Sequence, residues 1–278
     1  LGTYYKIEQL TEEDAGAAIE NAGGTVYYGD AASAAAALVP GDKLIVKQDY
    51  VGTVNVITDG VSIDLGGKNV DEIAINVKTS GKVDHELAPI SISNGTVDNL
   101  ISSTNNSSYY FQLNLADNLT VNSLDLANAY TLYSEELLAK MTTPAYYSTD
   151  STGSKYLYAS ASLAINRAAD KIAYLAKEYT GSGIIGVNAS GTLDLNGYTF
   201  TSSSSQHVLY PSGIDQTLVV KNGSLVNNGS GDIVAVVYND KVNLDLTLED
   251  IDMIGQGTYG IVTQGLATNI KVELKDSS

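Results

Sequence analysis

The sequence lacks cysteine and tryptophan, and it contains only two phenylalanines, four prolines and two histidines. The absence of cysteine excludes disulfide bonds and thiolate metal sites. Long apolar segments are also missing, which excludes a transmembrane helix and predicts no membrane insertion. The first ten residues, LGTYYKIEQL, have neither the basic nor the apolar region of a signal peptide, so we expect no signal peptide within this chain.

Positive charge is scarce as well. Fifteen lysines and arginines stand against 32 acidic residues, and the formal net charge is −17. Such a surface repels nucleic acid and anionic lipid, so neither is expected as a partner. Hydrophobic residues make up 44% of the chain, enough for a sizeable core. The abundance of glycine, serine, threonine, asparagine and tyrosine favours strands with many turns and is typical of a bacterial extracellular or cell-surface protein.

An internal repeat runs through the chain. Four blocks recur in the same order, offset by about 128 residues: 42–50 with 170–179, 62–70 with 192–200, 90–99 with 218–227, and 119–126 with 246–253. We therefore predict two copies of one unit, at 1–128 and 157–278. The segment 129–156, rich in tyrosine, serine and threonine, is predicted to connect them.

Short helices are predicted near the start of each copy, where they would cap the open ends of a coil. Their positions are 12–22, 31–38 and 160–169, with one more inside the connector at 134–141. Asp30 is placed to cap the second helix, and Ser160 or Ser162 to cap the third.

Beyond the helices, apolar and polar residues alternate. In VNLDLTL (242–248), four aliphatic residues share one face and three polar residues share the other, as in a half-buried strand. Short strands separated by two-residue corners favour a winding coil. We therefore predict an all-β fold, a right-handed parallel β-helix with short capping helices and an internal duplication. Asn-Gly pairs at 94–95, 196–197 and 222–223 leave an antiparallel β-sandwich as the alternative.

One motif, apolar–Asp–Leu–x–Gly, occurs once per copy, in SIDLGG (62–67) and TLDLNG (192–197). It is predicted to be structural, a strand followed by its corner. The aliphatic residues are expected to fill the interior (Ile63, Leu65, Leu193 and Leu195), the aspartates to face solvent (Asp64 and Asp194), and the glycines to turn the corner with positive φ (Gly67 and Gly197).

At these residues the chain resembles the right-handed parallel β-helix repeats of bacterial cell-surface and adhesin-like proteins, within the broad pectate-lyase-like superfamily. The resemblance rests on a helix followed by PGDKL and a strand, then (I/L)DLxG, then a strand ending in NG(T/S). The segment AAIENAGGTVYYGD (17–30) is also similar to the N-terminal capping segment of that superfamily. The likeness covers most of 15–128 and 157–275, and it implies a parallel coil with a surface role.

Enzymes of that superfamily need recognisable residues. The resemblance would imply a basic residue beside a calcium-binding acidic cluster for a lyase, and clustered aspartates with a histidine for a hydrolase. The single arginine, Arg167, lies in a predicted capping helix, and His85 and His207 lack such a context. We name no catalytic residue and favour a non-enzymatic protein.

An acidic cluster is the candidate metal site. Asp245, Glu249, Asp250 and Asp252 lie within eight positions, and outward carboxylates on adjacent coils offer the oxygen ligands that Ca²⁺ prefers. The alternative is a solvated acidic face that aids solubility. No other cofactor is expected.

Tyrosine is unusually frequent, with nineteen residues. An exposed tyrosine offers a flat apolar face and a hydroxyl, which suits sugar rings and protein partners. The doublets Tyr109–Tyr110 and Tyr146–Tyr147 lie in polar segments predicted as loops and are the candidate ligand-binding residues. The alternative is that the tyrosines pack at coil edges and caps.

These observations favour a non-enzymatic extracellular module that binds a glycan or a cell-surface protein, or acts as a spacer. Two alternatives stay open. One is a carbohydrate-active enzyme, a polysaccharide lyase or glycoside hydrolase on a β-helix. The other is a structural repeat of a cell-wall or surface-layer assembly.

Overall fold

A computed structural model describes residues 10–77, 88–102, 111–126, 129–237, 243–256, 260–264 and 269–278. The chain divides into two compact units, residues 1–129 (unit 1) and 130–278 (unit 2). The strands of the two units wind as parallel β-solenoid turns, about seven in total, so the predicted parallel β-helix is confirmed. None of the helices among the described residues has the length and hydropathy that a membrane span needs.

Unit 1 opens with an antiparallel hairpin and a short helix, and its coils follow. The elements are β1 (Ala17–Asn21), β2 (Gly24–Tyr28), α1 (Ala31–Ala35), β3 (Lys43–Val46), β4 (Tyr50–Val56), β5 (Ser62–Ile75), β6 (Ile90–Ser102), β7 (Phe111–Leu115) and β8 (Leu119–Asp125). Strands β3, β5, β6 and β7 form one parallel stack, and β4, β5, β6 and β8 form another. The long strands β5 and β6 thus bend around a corner and belong to both stacks.

Unit 2 repeats this plan with more coils. Its elements are β9 (Ala129–Leu132), α2 (Glu135–Lys140), β10 (Tyr146–Thr149), β11 (Lys155–Tyr158), α3 (Ala161–Arg167), β12 (Ile172–Leu175), β13 (Tyr179–Gly181), β14 (Ile185–Val187), β15 (Gly191–Asp194), β16 (Thr199–Ser202), β17 (His207–Pro211), β18 (Gln216–Asn227), β19 (Asp232–Val237), β20 (Leu244–Gly255), β21 (Ile261–Gln264) and β22 (Ile270–Lys275). Three parallel stacks result: β12–β15–β18–β20–β22, β13–β16–β18–β20 and β14–β17–β19–β21.

An antiparallel hairpin covers the first coil of each unit. β1 pairs with both β2 and β3, and β10 pairs with both β11 and β12, always antiparallel. The helix predicted at 12–22 is therefore wrong, because its alanine-rich part is β1. Neighbours on both edges satisfy the β1 backbone, and Ala17, Ala18 and Ile19 are at most 2% exposed, so tertiary pairing overrides the helix propensity of alanine. The Gly23–Gly24 pair closes the hairpin instead of ending a helix.

The other predicted helices are present and capped as expected. The Ser33 amide donates to Asp30 at the start of α1 (2.7 Å), and the Leu163 amide donates to Ser160 at the start of α3 (3.3 Å). Helix α2 falls inside 129–156. That segment, expected as a connector, folds within unit 2 as β9, α2, β10 and the start of β11.

Aliphatic side chains stack in columns inside the coils. Ala173, Leu193, Val220 and Leu248 occupy one register position on β12, β15, β18 and β20, and each is 0% exposed. The predicted alternation at 242–248 is confirmed from Leu244 onward, since Val242 lies outside the described residues. Each buried leucine of such a column contributes on the order of 2 kcal/mol through removal of its surface from water.

The duplicated motif forms a corner within one coil and is hydrogen-bonded to the next coil. Gly67 and Gly197 turn with φ of 76° and 77°, as predicted. The aspartates do not simply face solvent. Asp194 is 8% exposed; its Oδ1 accepts from the Asn196 amide (2.8 Å), and its Oδ2 accepts from Asn222 Nδ2 on the next coil (2.9 Å).

Unit 1 repeats this corner. Asp64 Oδ1 accepts from the Gly66 amide (3.0 Å) and from Asn94 Nδ2 on the next coil (2.9 Å). Lys43 Nζ lies 3.1 Å from Asp64 Oδ2. The prediction that these aspartates face solvent is thus corrected, because the motif uses the carboxylate to bind its own turn to the neighbouring coil.

This corner predicts acid sensitivity. Partial burial raises the pKa of Asp64, but the hydrogen bonds from Gly66, Asn94 and Lys43 outweigh it and hold the pKa below its ordinary value of 3.8. The stabilisation is therefore complete above pH 3.8 and is lost as the pH falls through the lower folded-state pKa. We expect Asp64→Asn to reduce the dependence of the unfolding free energy on pH between about pH 5 and pH 2. The unfolding free energies of both proteins are measured by urea denaturation at a series of pH values. An equal change with pH in the two proteins would contradict this prediction.

Candidate functional site

The candidate site lies on the outer surface of unit 2, where the capping hairpin meets the first coils. Tyr147 on β10 is in register with Tyr174 on β12, and Tyr174 is in register with Asp194 on β15. Asp194 is in register with Lys221 on β18. Register therefore places two aromatic rings and an ion pair in one row across four neighbouring strands.

Three tyrosines form a continuous aromatic cluster, here called the tyrosine face (Tyr133, Tyr147 and Tyr174). The rings of Tyr147 and Tyr174 stack, with centroids 4.9 Å apart and planes 14° apart. Tyr133 follows β9 and lies 5.5 Å from Tyr147 in a tilted arrangement. All three side chains are half-buried, so each ring keeps part of its surface open to solvent.

Charged groups border the tyrosine face. The exposed Lys155 places its Nζ 5.2 Å from the ring centroid of Tyr147 and 6.0 Å from that of Tyr133, within the range of a cation–π contact. On the other side, Lys221 Nζ lies 3.6 Å from Asp194 Oδ2. The face therefore offers apolar ring surface beside the ammonium groups of Lys155 and Lys221.

The phenols of Tyr133 and Tyr147 are neutral at physiological pH. The hydroxyl of Tyr133 donates to Glu135 Oε1; this bond, partial burial and the carboxylate charge raise the pKa of Tyr133 to about 12. Burial raises the pKa of Tyr147, and Tyr174 and Asp194 add to the shift. Glu135 is held in the first turn of α2, which Ser134 caps. Tyr133 and Tyr147 thus present hydroxyl groups rather than phenolates.

The structure separates the four tyrosines predicted to bind ligand. Tyr147 belongs to the tyrosine face. Tyr146 is 2% exposed and points into unit 2, because neighbouring residues of a strand face opposite sides; its buried side chain offers no binding surface. Tyr109 and Tyr110 lie outside the described residues. Sequence reasoning missed Tyr133, Tyr174 and Lys155.

The four acidic residues proposed for calcium lie along β20 without converging. Asp245 lies 3.4 Å from Lys271 Nζ, and Asp252 Oδ1 accepts from the Ser278 hydroxyl (2.7 Å). Glu249 is in register with lysines on both neighbouring strands, and Asp250 turns a corner with φ of 52°. Within the described part of the chain, no group of three or more histidine or acidic side chains is placed to hold a metal. The calcium site stays a prediction.

Neither Arg167 nor His207 belongs to the tyrosine face. Arg167 is in α3, as predicted, and is 7% exposed. His207 lies half-buried on β17, with its ring 4.9 Å from that of Tyr210; burial lowers its pKa. His85 lies outside the described residues.

Comparison of the chain with protein-family models, with curated proteins and with solved structures found no match.

Proposed function

We propose that this protein is a non-enzymatic extracellular module that binds a neutral glycan at its tyrosine face. The observation that carries the proposal is the row of stacked Tyr147 and Tyr174 beside the Asp194–Lys221 pair. The faces of sugar rings carry C–H groups that pack on aromatic surfaces, while their hydroxyls bond to phenols and charged groups. A net charge of −17 opposes acidic polysaccharides at long range, which favours a neutral ligand.

We also propose that the protein belongs to the pectate-lyase-like superfamily and that it is located on the cell surface. The parallel coils and the turn-rich, tyrosine-rich composition support it. The duplicated aspartates support a non-enzymatic role, because Asp64 and Asp194 are each occupied by a backbone amide and an asparagine of the next coil. A lyase or hydrolase is the alternative, and a screen for polysaccharide depolymerisation separates the two.

The test is binding of neutral oligosaccharides, first on a glycan array and then by calorimetry. We expect Tyr147→Ala and Tyr174→Ala each to weaken binding at least about tenfold, because centrally placed aromatic residues dominate such interfaces. Tyr147→Phe keeps the ring and is expected to retain most of the affinity. Tyr210→Ala, on β17 away from the face, is the matched control.

Two results would contradict the proposal. The first is unchanged affinity in both alanine variants that keep their thermal unfolding midpoint. The second is turnover of a polysaccharide by the intact chain.

A further inference from the structure

The tyrosine face also contains a pair of phenols arranged for covalent coupling. The chain has no cysteine or tryptophan and only two methionines, so tyrosine is its most abundant oxidisable side chain. We propose that Tyr147 and Tyr174 are a modification site, at which a peroxidase-type one-electron oxidant joins the two rings as dityrosine.

Ring geometry is the first argument. Phenoxyl radicals couple through ring carbons that meet face to face, and the rings of Tyr147 and Tyr174 are nearly parallel with centroids 4.9 Å apart. Their backbones are fixed in register on β10 and β12. Two rings held in this way react with each other at a high effective concentration. Coupling within one chain is therefore faster than coupling between chains.

Proton transfer is the second argument. A phenol that loses an electron becomes strongly acidic, and the Tyr133 hydroxyl already donates to the Glu135 carboxylate, which can accept that proton. Tyr133 is 5.5 Å from Tyr147, close enough to pass the oxidising equivalent to the stacked pair. Lys155 Nζ lies over the rings of Tyr133 and Tyr147. Its positive charge disfavours a radical cation on either ring, so oxidation proceeds with loss of the proton.

Tyr147 and Tyr174 each lose one electron and the proton of the hydroxyl. The two radicals form one carbon–carbon bond between ring positions adjacent to the hydroxyls, and the two ring hydrogens then move to the oxygens and restore the phenols. Hydrogen peroxide takes up the two electrons and two protons and leaves as two water molecules. The product joins the capping hairpin covalently to the first coil of unit 2.

The experiment treats the full chain with a peroxidase and equimolar hydrogen peroxide, followed by tryptic digestion and mass spectrometry. Cleavage after lysine separates Tyr147, in peptide 141–155, from Tyr174, in peptide 172–177. We expect these two peptides to be the main cross-linked pair, lacking two hydrogen atoms, with a yield independent of protein concentration. Fragmentation assigns the bond to Tyr147 rather than to Tyr146.

Variants make the result decisive without reference to any glycan. Tyr174→Phe is expected to abolish this cross-link while keeping ring stacking, and Tyr210→Phe to leave it unchanged. Tyr133→Phe and Glu135→Gln should slow its formation several-fold and give the same product. Dityrosine that is spread over other tyrosines, forms only between chains or persists at this level in Tyr174→Phe overturns the proposal.

Discussion

Gly223→Ala is expected to destabilise the protein by about 1–3 kcal/mol or more. A Cβ at this position would lie 2.5 Å from the carbonyl oxygen of Tyr198 and 2.6 Å from the Cβ of Leu195. Neither atom can withdraw, because one is backbone and the other begins a fully buried side chain of the duplicated motif. The free energy of unfolding in urea measures the loss.

The control for this prediction is Gly186→Ala on β14, where an added Cβ meets no atom within 4 Å. The corresponding residue of unit 1, Gly95, would place its Cβ 2.5 Å from the Cβ of Leu65. We expect Gly95→Ala to show a loss similar to that of Gly223→Ala. If either variant is as stable as Gly186→Ala, then neighbouring coils do not come into close contact at the glycine of the Asn-Gly pair.

Leu193→Ala is expected to cost about 2–5 kcal/mol of unfolding free energy. Leu193 is 0% exposed and lies between Ala173 and Val220 in the aliphatic column. Neighbouring coils cannot collapse into the space, because their backbone hydrogen bonds hold them at a fixed spacing. The measurement is chemical denaturation followed by circular dichroism.

Ile254→Ala is the matched control, because Ile254 is 58% exposed and should tolerate truncation within about 0.5 kcal/mol. A Leu193→Ala loss as small as this would place Leu193 outside a packed column. Such a small loss would also be inconsistent with parallel coils stacked in register.

Local patterns were sufficient to predict the coils but not the contacts between them. Alternation placed Leu244, Leu246 and Leu248 correctly, because a half-buried strand records its inner face in every second residue. The role of Asp194 depends on Asn222, which lies a full coil further along the chain. The two residues belong to different blocks of the repeat, and nothing in either block shows that a turn of solenoid brings them together.

Propensity was misleading at the caps. The alanine-rich run at 12–22 predicts a helix in isolation, yet β1 is a strand because β2 and β3 both pair with it. The corresponding hairpin of unit 2 lies within 129–156 and the residues that follow. Its strands, YYST (146–149) and KYLY (155–158), are rich in tyrosine, which favours strands. The prediction of a connector did not use this signal.

The tyrosine face was only partly accessible from sequence. Alternation along β10 would have separated buried Tyr146 from half-buried Tyr147, once the segment was treated as a strand. Tyr174 is the single tyrosine of its strand, and its stacking on Tyr147 depends on antiparallel register between the hairpin and the first coil. Such register follows from tertiary packing and leaves no local trace in the sequence.

A double-mutant cycle on Asp194 and Asn222 tests the central claim, that the duplicated motif exists to fasten one coil to the next. Asp194→Ala and Asn222→Gly, a change that suits the φ of 58° at this position, are expected to show a coupling of about 0.5–3 kcal/mol in unfolding free energy. Asn269→Gly, with a similar φ of 60°, is the control partner, and its coupling with Asp194 should stay below about 0.5 kcal/mol. Equal couplings in the two cycles would contradict the account.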